Sequence, residues 1–178
     1  GAQLSGIKPG DQMTLNQALH ILLIYSANDV AIMIAEGVAG SVDGFCNLMN
    51  EEAAAIGATG SHFLNPNGLT QEGHFVTGYD MYLIFNEAMK YELFNEIIQM
   101  PSYTTTYTLA NGESKELTVN NTNRYMRDNL ATAPEKITVI GGKTGTTAAA
   151  GHCLILLARD SAGNPYISVI MNSDSTDN

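Results

Sequence analysis

From position 14 the apolar residues recur every three or four places. Leu15, Ala18, Leu19, Leu22 and Leu23 line one face of an amphipathic helix. Thr14 with Gln17 is a capping box that starts it. The pattern breaks at Ser26-Ala27-Asn28-Asp29 and resumes with Val30, Ile34 and Val38, and Gly37 and Gly40 predict where it stops. Ser41 is placed to cap a third helix that buries Phe45, Leu48, Met49 and Ile56, with Gly57 as its C-terminal stop. Residues 65–73, including Asn65-Pro66-Asn67-Gly68, have loop composition. Thr77 with Asp80 then caps a fourth helix carrying Met81, Ile84, Phe85 and Ala88. A short helical stretch through Leu93, Phe94 and Ile97 ends before Pro101.

Beyond residue 101 the period changes. Residues 103–109 are rich in Thr and Tyr, Asn111-Gly112 is a turn, and 115–119 is again strand-like, which predicts a hairpin. Residues 137–140 are largely β-branched and run into Gly141-Gly142-Lys143-Thr144-Gly145-Thr146-Thr147. Residues 152–158 and 166–171 predict a second hairpin around Ala162-Gly163-Asn164. Helices first and antiparallel strands later indicate an α+β fold rather than alternating βαβ units. The expectation is an antiparallel sheet over 137–171, with Lys143 on an exposed edge strand. Leu154, Leu156, Val169 and Met171 are expected to pack under the helices.

Composition narrows the function classes. The 178 residues suit one domain, and 44% apolar with 15% charged residues excludes a disordered chain. Eighteen acidic against eight basic side chains give a net charge of −10, with no Lys/Arg run, so nucleic acid and anionic membrane surfaces are poor partners. The longest apolar run, residues 21–24, is far too short to span a bilayer. Cys46 and Cys153 are too few for a disulfide framework or a zinc site, and whether they meet stays open. His20, His62, His74 and His152 lack metal-ligand spacing, so neither metal nor cofactor is expected. A phosphate-loop reading of Gly142-Lys143-Thr144 fails, because Ile137 stands where that motif needs a glycine and apolar strand follows. Both ends look cut: the chain opens Gly1-Ala2-Gln3-Leu4 without Met or leader and closes on a polar tail.

Two short motifs carry chemistry. Lys143-Thr144-Gly145-Thr146 on a strand offers a positive charge, a hydroxyl, and backbone that an extended peptide can approach where glycine removes the side chain. Ser26-Ala27-Asn28 sits between two helices, where serine and asparagine are also ordinary capping residues. Ser-x-Asn followed more than a hundred residues later by Lys-Thr-Gly is the order used by penicillin-interacting serine enzymes. With Lys8-Pro9-Gly10-Asp11-Gln12, Tyr25-Ser26-Ala27-Asn28-Asp29, Asn67-Gly68-Leu69, Tyr79-Asp80-Met81, Asn121-Thr122-Asn123 and Gly142-Lys143-Thr144-Gly145-Thr146-Thr147, the chain resembles the D-alanyl-D-alanine carboxypeptidases among low-molecular-mass penicillin-binding proteins.

That resemblance implies the β-lactamase/transpeptidase-like fold, a helical region packed on an antiparallel sheet with the active site between them, here truncated at both ends. Residues 1–178 would form part of one D,D-peptidase catalytic domain. The implied activity removes the terminal D-Ala from peptidoglycan stem peptides through an acyl-enzyme, and β-lactams would acylate the intact parent. The implied location is extracytoplasmic, in the bacterial cell envelope. Ser26, Asn28 and Lys143 are the implied catalytic residues: Ser26 relays a proton to the leaving amine, and Asn28 holds the substrate amide or the catalytic lysine. Lys143 supplies positive potential. Thr144, Gly145 and Thr146 are the implied substrate-binding residues, with the Thr144 hydroxyl on the terminal carboxylate and the Thr146 N–H in the oxyanion hole.

The nucleophile is where this chain departs from the family. A Ser-x-x-Lys helix is expected well upstream of Lys8, and Ser5-Gly6-Ile7-Lys8 does not fit, because Gly6 weakens a helix and Pro9 disfavours helical geometry at Lys8. The nucleophile segment is therefore expected outside these residues, and the chain alone is expected to be inactive. Loss of that segment would uncover the apolar faces of the helices near 15–23 and 30–38 and lead to self-association. The alternatives are a β-lactamase, against which Ala27 stands where a class A enzyme has Asp, and a non-catalytic wall-binding or regulatory module of the same fold.

Overall fold

The starts of three helices fall where the caps predict them. The computed structural model describes residues 2–127 and 130–175. Helix α1 (Leu15–Tyr25) starts at Thr14, whose hydroxyl accepts the Gln17 N–H while the Gln17 side chain accepts from the Thr14 N–H. Helix α2 (Asn28–Ala39) runs through Gly37 and ends at Gly40, and α3 (Val42–Ala55) is capped by Ser41. Thr77 caps α4 (Gly78–Ala88) through the Asp80 N–H, and α5 (Glu92–Ile98) completes the helical set before Pro101.

Strands β1 (Ser102–Thr108) and β2 (Ser114–Asn120) form the expected hairpin, which packs on α1. A short 3₁₀ turn, Arg124–Met126, follows. Strands β3 (Ile137–Thr147), β4 (Gly151–Asp160) and β5 (Pro165–Ser173) make an antiparallel sheet in the order β3-β4-β5. Among the described residues β3 has a strand on one side only, so the expected edge position holds.

Two apolar cores hold these parts together. Ile21, Ile24, Val30, Ile97 and Val119 bring α1, α2, α5 and the hairpin into one cluster. Burying each such side chain contributes about 1.5–3 kcal/mol. Phe85, Ile98, Ile155 and Leu157, with Ile167 and Val169, join α4 and α5 to the β3–β5 sheet.

Half of the expected contact layer under the helices is on the other parity. Lys143, Ile155 and Val169 are register partners and share the helix-facing side, and Met171, two residues beyond Val169, lies beside Gly78 of α4. Leu154 pairs with Thr144 and Ile170, and Leu156 with Gly142 and Ser168, so both turn to the opposite face. The run Leu154-Ile155-Leu156-Leu157 has no alternation from which its face could be read.

His20 is buried against Tyr103 with ring centroids 4.3 Å apart, and its Nδ1 lies 2.8 Å from the Asn16 carbonyl oxygen. Cys46 and Cys153 are both free thiols, and burial, with Asp43 nearby, raises the pKa of Cys46.

Candidate active site

Ser26 ends α1 in the left-handed conformation, with φ 63° and ψ 41°, while its N–H donates to the Leu22 carbonyl at 2.9 Å. A left-handed residue at a helix end is usually glycine, because a Cβ makes this geometry costly. Its neighbours Ile24 and Ala27 are fully buried. The local backbone thus sets the direction in which the Ser26 hydroxyl points.

Lys143 arrives from the sheet, 117 residues later, and its Nζ donates to Ser26 Oγ at 2.7 Å. It also donates to the carbonyl of Thr144 at 2.9 Å. A β-bulge between Val139 and Gly141 shifts the β3 register just before the Lys-Thr-Gly run. Bulges of this kind re-aim side chains at strand edges. Gly141 and Gly142 permit the close approach of neighbouring backbone: a Cβ on Gly141 would stand 2.8 Å from the Ile98 carbonyl oxygen, and one on Gly142 would stand 2.1 Å from that of Ile155.

The Lys143 residue is half-buried as a whole, but its ammonium end lies deep, and desolvation pulls its pKa down from 10.5 to about 8. An apolar cavity of about 290 Å³ flanks it, lined by Met81, Phe85, Phe94, Cys153 and Val169 among others. Both acceptors of the ammonium are neutral, so nothing charged among these contacts offsets the loss of water.

Asn28, the third residue predicted to be catalytic, opens α2 beside Ser26, yet its amide Nδ2 donates to the Gln3 carbonyl at 3.0 Å, and its backbone N–H donates to the same oxygen. The structure therefore joins Ser26 to Lys143 and sets Asn28 at their flank with its amide engaged by the N-terminal segment. That segment is held by Asp29, whose carboxylate accepts from the Ser5 N–H, the Ser5 hydroxyl and the Gly6 N–H. Gly6 has φ 83° and residues 2–7 are not helical, so Ser5 and Lys8 do not share a helix face.

Along β3, Gly145 and Thr146 are exposed. The Thr146 hydroxyl lies 3.2 Å from His152 Nδ1, and the Thr147 hydroxyl accepts from Thr70 in the 65–73 loop at 2.8 Å. The Thr144 hydroxyl lies 2.6 Å from that of Thr122. In the sequence Thr122 stands out only as part of Asn121-Thr122-Asn123, and no local pattern pairs it with Thr144, 22 residues away.

The cleft therefore carries a hydroxyl from a helix end, a buried amine of lowered pKa, and an open strand edge. The profile of the D-alanyl-D-alanine carboxypeptidases of peptidase family S11 matches residues 2–175. The chain belongs to this D-alanyl-D-alanine carboxypeptidase family. It is 34% identical over 155 residues to the D-alanyl-D-alanine carboxypeptidase DacF of Bacillus subtilis, a match covering 86% of this chain and 36% of the relative. It is 37% identical to the D-alanyl-D-alanine carboxypeptidase DacB2 of Mycobacterium tuberculosis, over 82% of this chain and 46% of the relative. Against the crystal structure of the Streptomyces K15 DD-transpeptidase the TM-score is 0.87 at 26% identity, covering 98% of this chain and 66% of that one. The fold is therefore the transpeptidase-like, β-lactamase-type arrangement of helices and antiparallel sheet. The chain spans 36% and 46% of the length of these two curated carboxypeptidases.

Proposed function

We propose that this chain is part of a serine D-alanyl-D-alanine carboxypeptidase that removes the terminal D-Ala from peptidoglycan stem peptides. One observation carries the reading: Ser26 Oγ and Lys143 Nζ meet at 2.7 Å across a cleft between a helix junction and an open strand edge. In the proposed reaction a serine hydroxyl attacks the carbonyl of the penultimate D-Ala and forms an ester. The C–N bond to the terminal D-Ala breaks, and Ser26 passes a proton to the departing amine. Water then hydrolyses the ester. Lys143 supplies positive potential, Thr144 receives the terminal carboxylate, and the peptide lies along Gly145 as an added strand. The Thr146 N–H is one oxyanion donor. Asn28 is expected to contribute at the flank of Ser26 if its amide leaves the Gln3 carbonyl.

The attacking serine is proposed to lie outside these 178 residues. Supporting this, the Ser5 hydroxyl is committed to Asp29, and Ser26 is approached by a lysine that donates to it rather than by a free base. β-Lactams are proposed to acylate that serine, and the envelope is the proposed location. None of the described helices is long and apolar enough to cross a membrane. Self-association of the isolated chain is part of the proposal; on the two helices concerned Leu15 and Val38 are 55% and 56% exposed.

Intact-mass spectrometry after incubation with benzylpenicillin tests the reading. The full-length protein as encoded is expected to gain one penicilloyl group, and the 178-residue chain none. An adduct on Ser5 or Ser26 would overturn the assignment of the nucleophile. A full-length protein that neither acylates nor cleaves D-Ala-D-Ala peptides would favour the non-catalytic module.

A further inference from the structure

The loop after β2 enters the cleft without a role so far, although its construction is rigid. Asn121 and Asn123 are 2% and 1% exposed. The Asn121 N–H donates to the Pro101 carbonyl and its side-chain Nδ2 to the Met100 carbonyl, each at 2.8 Å. The Asn121 Oδ1 accepts from the Asn123 N–H at 2.8 Å. Thr122 is held between these two buried amides. Its own N–H donates to the Ile24 carbonyl at 3.0 Å, two residues before Ser26, and its hydroxyl lies 2.6 Å from that of Thr144. One residue therefore ties the helical wall of the cleft to the strand that carries Lys143.

We propose that Thr122 is a positioning residue that turns the Thr144 hydroxyl outward as a hydrogen-bond donor to the substrate's terminal carboxylate. This rests on the carboxypeptidase reading above. A hydroxyl has one proton to give and two lone pairs with which to accept. Without a partner, the Thr144 hydroxyl rotates among staggered positions, and an incoming anion must select one of them. When Thr122 gives its proton to Thr144 Oγ1, the Thr144 proton is released for the carboxylate. The two hydroxyls then form a directed chain ending on the anion, and such chains strengthen through mutual polarisation. The charge on the acceptor sets the direction, since a carboxylate at Thr144 can only accept. The buried frame of Asn121 and Asn123 ensures that Thr122 does not move away when substrate binds.

The test compares Thr122→Val, Thr122→Ser, Thr144→Val and the Thr122→Val/Thr144→Val double variant in the full-length protein as encoded. The assay is steady-state cleavage of an N-acyl peptide ending in D-Ala-D-Ala. Thr122→Val is expected to raise KM by about three- to tenfold with kcat within about twofold of the parent. Thr122→Ser, which keeps the hydroxyl, is expected to restore the parent KM. The double variant is expected to match Thr144→Val alone, because Thr122 acts only through Thr144. Equal KM in Thr122→Val and the parent overturns the inference. So does a loss that Thr122→Ser does not rescue, or an effect that adds fully to that of Thr144→Val. In each of those cases the parent still cleaves the peptide and the functional reading stands. A parent that cleaves nothing overturns both.

Discussion

The two walls of the cleft are built by different physics. On the helical wall, Ser26 is placed by backbone: a left-handed residue closes α1, and fully buried Ile24 and Ala27 fix the turn around it. On the sheet wall, Lys143 is placed by register and carries a charge that burial opposes. The helical wall stores its cost in one φ angle, whereas the sheet wall stores it in desolvation of an ammonium group. The first cost is local and independent of pH. The second depends on a neighbouring strand, a neighbouring cavity and the proton concentration.

The largest expected effect tests whether the sheet wall is fixed by register. In Gly142→Ala the new Cβ would stand 2.1 Å from the Ile155 carbonyl oxygen, which is ladder backbone and cannot yield without parting β3 from β4. The substitution is expected to destabilise the protein by about 4 kcal/mol in urea unfolding. Gly145→Ala is the control: its nearest neighbour would be the Cys153 Cβ at 4.0 Å, and a cost below about 1 kcal/mol is expected. Similar costs at the two positions would mean that the strand is free to shift and that its register does not aim Lys143.

Charge comes next. The pKa of Lys143 falls to about 8 from 10.5. Between those values the unfolded chain binds the extra proton and the folded one does not. Stability therefore rises with pH across that window, by about 3 kcal/mol in total, and the penalty is fully present below it. The readout is the difference between the parent and Lys143→Met in urea unfolding at pH 7 and pH 10.5. The variant is expected to lose this part of the rise. An identical pH profile in both would show that the ammonium is hydrated. If the full-length protein cleaves D-Ala-D-Ala peptides as proposed, KM is expected to climb above pH 8 as Lys143 loses its charge, and the kinetic pH profile measures this directly.

This difference between the walls also decides what could be read from the sequence. Thr14, Ser41 and Thr77 are caps whose partners lie three residues away, so the starts of α1, α3 and α4 were legible. Asn111-Gly112 set the first hairpin in the same way. Ser26 and Lys143 were legible as motifs, and their joint occurrence, far apart in sequence, suggested the cleft that the structure displays. The bulge before Gly141 was not legible, because the extra residue shows only against the partner strand. The face taken by Leu154 and Leu156 was hidden in a four-residue apolar run. Asn28 was legible as a candidate, but its contact with Gln3 depends on a non-helical N-terminal segment tied down by Asp29. The Thr122–Thr144 pair depends on how the loop after β2 folds back, which no local periodicity records.

The smallest effect isolates the helical wall. Ser26→Gly and Ser26→Ala both remove the hydroxyl, and both leave Lys143 with one acceptor fewer. They differ in what they do to a backbone at φ 63°. Alanine keeps the Cβ that makes the left-handed region costly, and glycine removes it. Glycine also gains freedom in the unfolded chain, which offsets part of the relief. The net expectation is that Ser26→Gly is more stable than Ser26→Ala by about 1 kcal/mol, read from parallel urea titrations with equal m-values. In the full-length protein both are expected to lose about 10²- to 10⁴-fold in kcat, because the hydroxyl proposed to relay the proton is gone from each. A stability difference without an activity difference would show that the backbone, rather than the lysine, places residue 26. Equal stabilities would mean that a Cβ at this φ carries no net cost, and the contrast between a wall built by backbone and one built by register would fail.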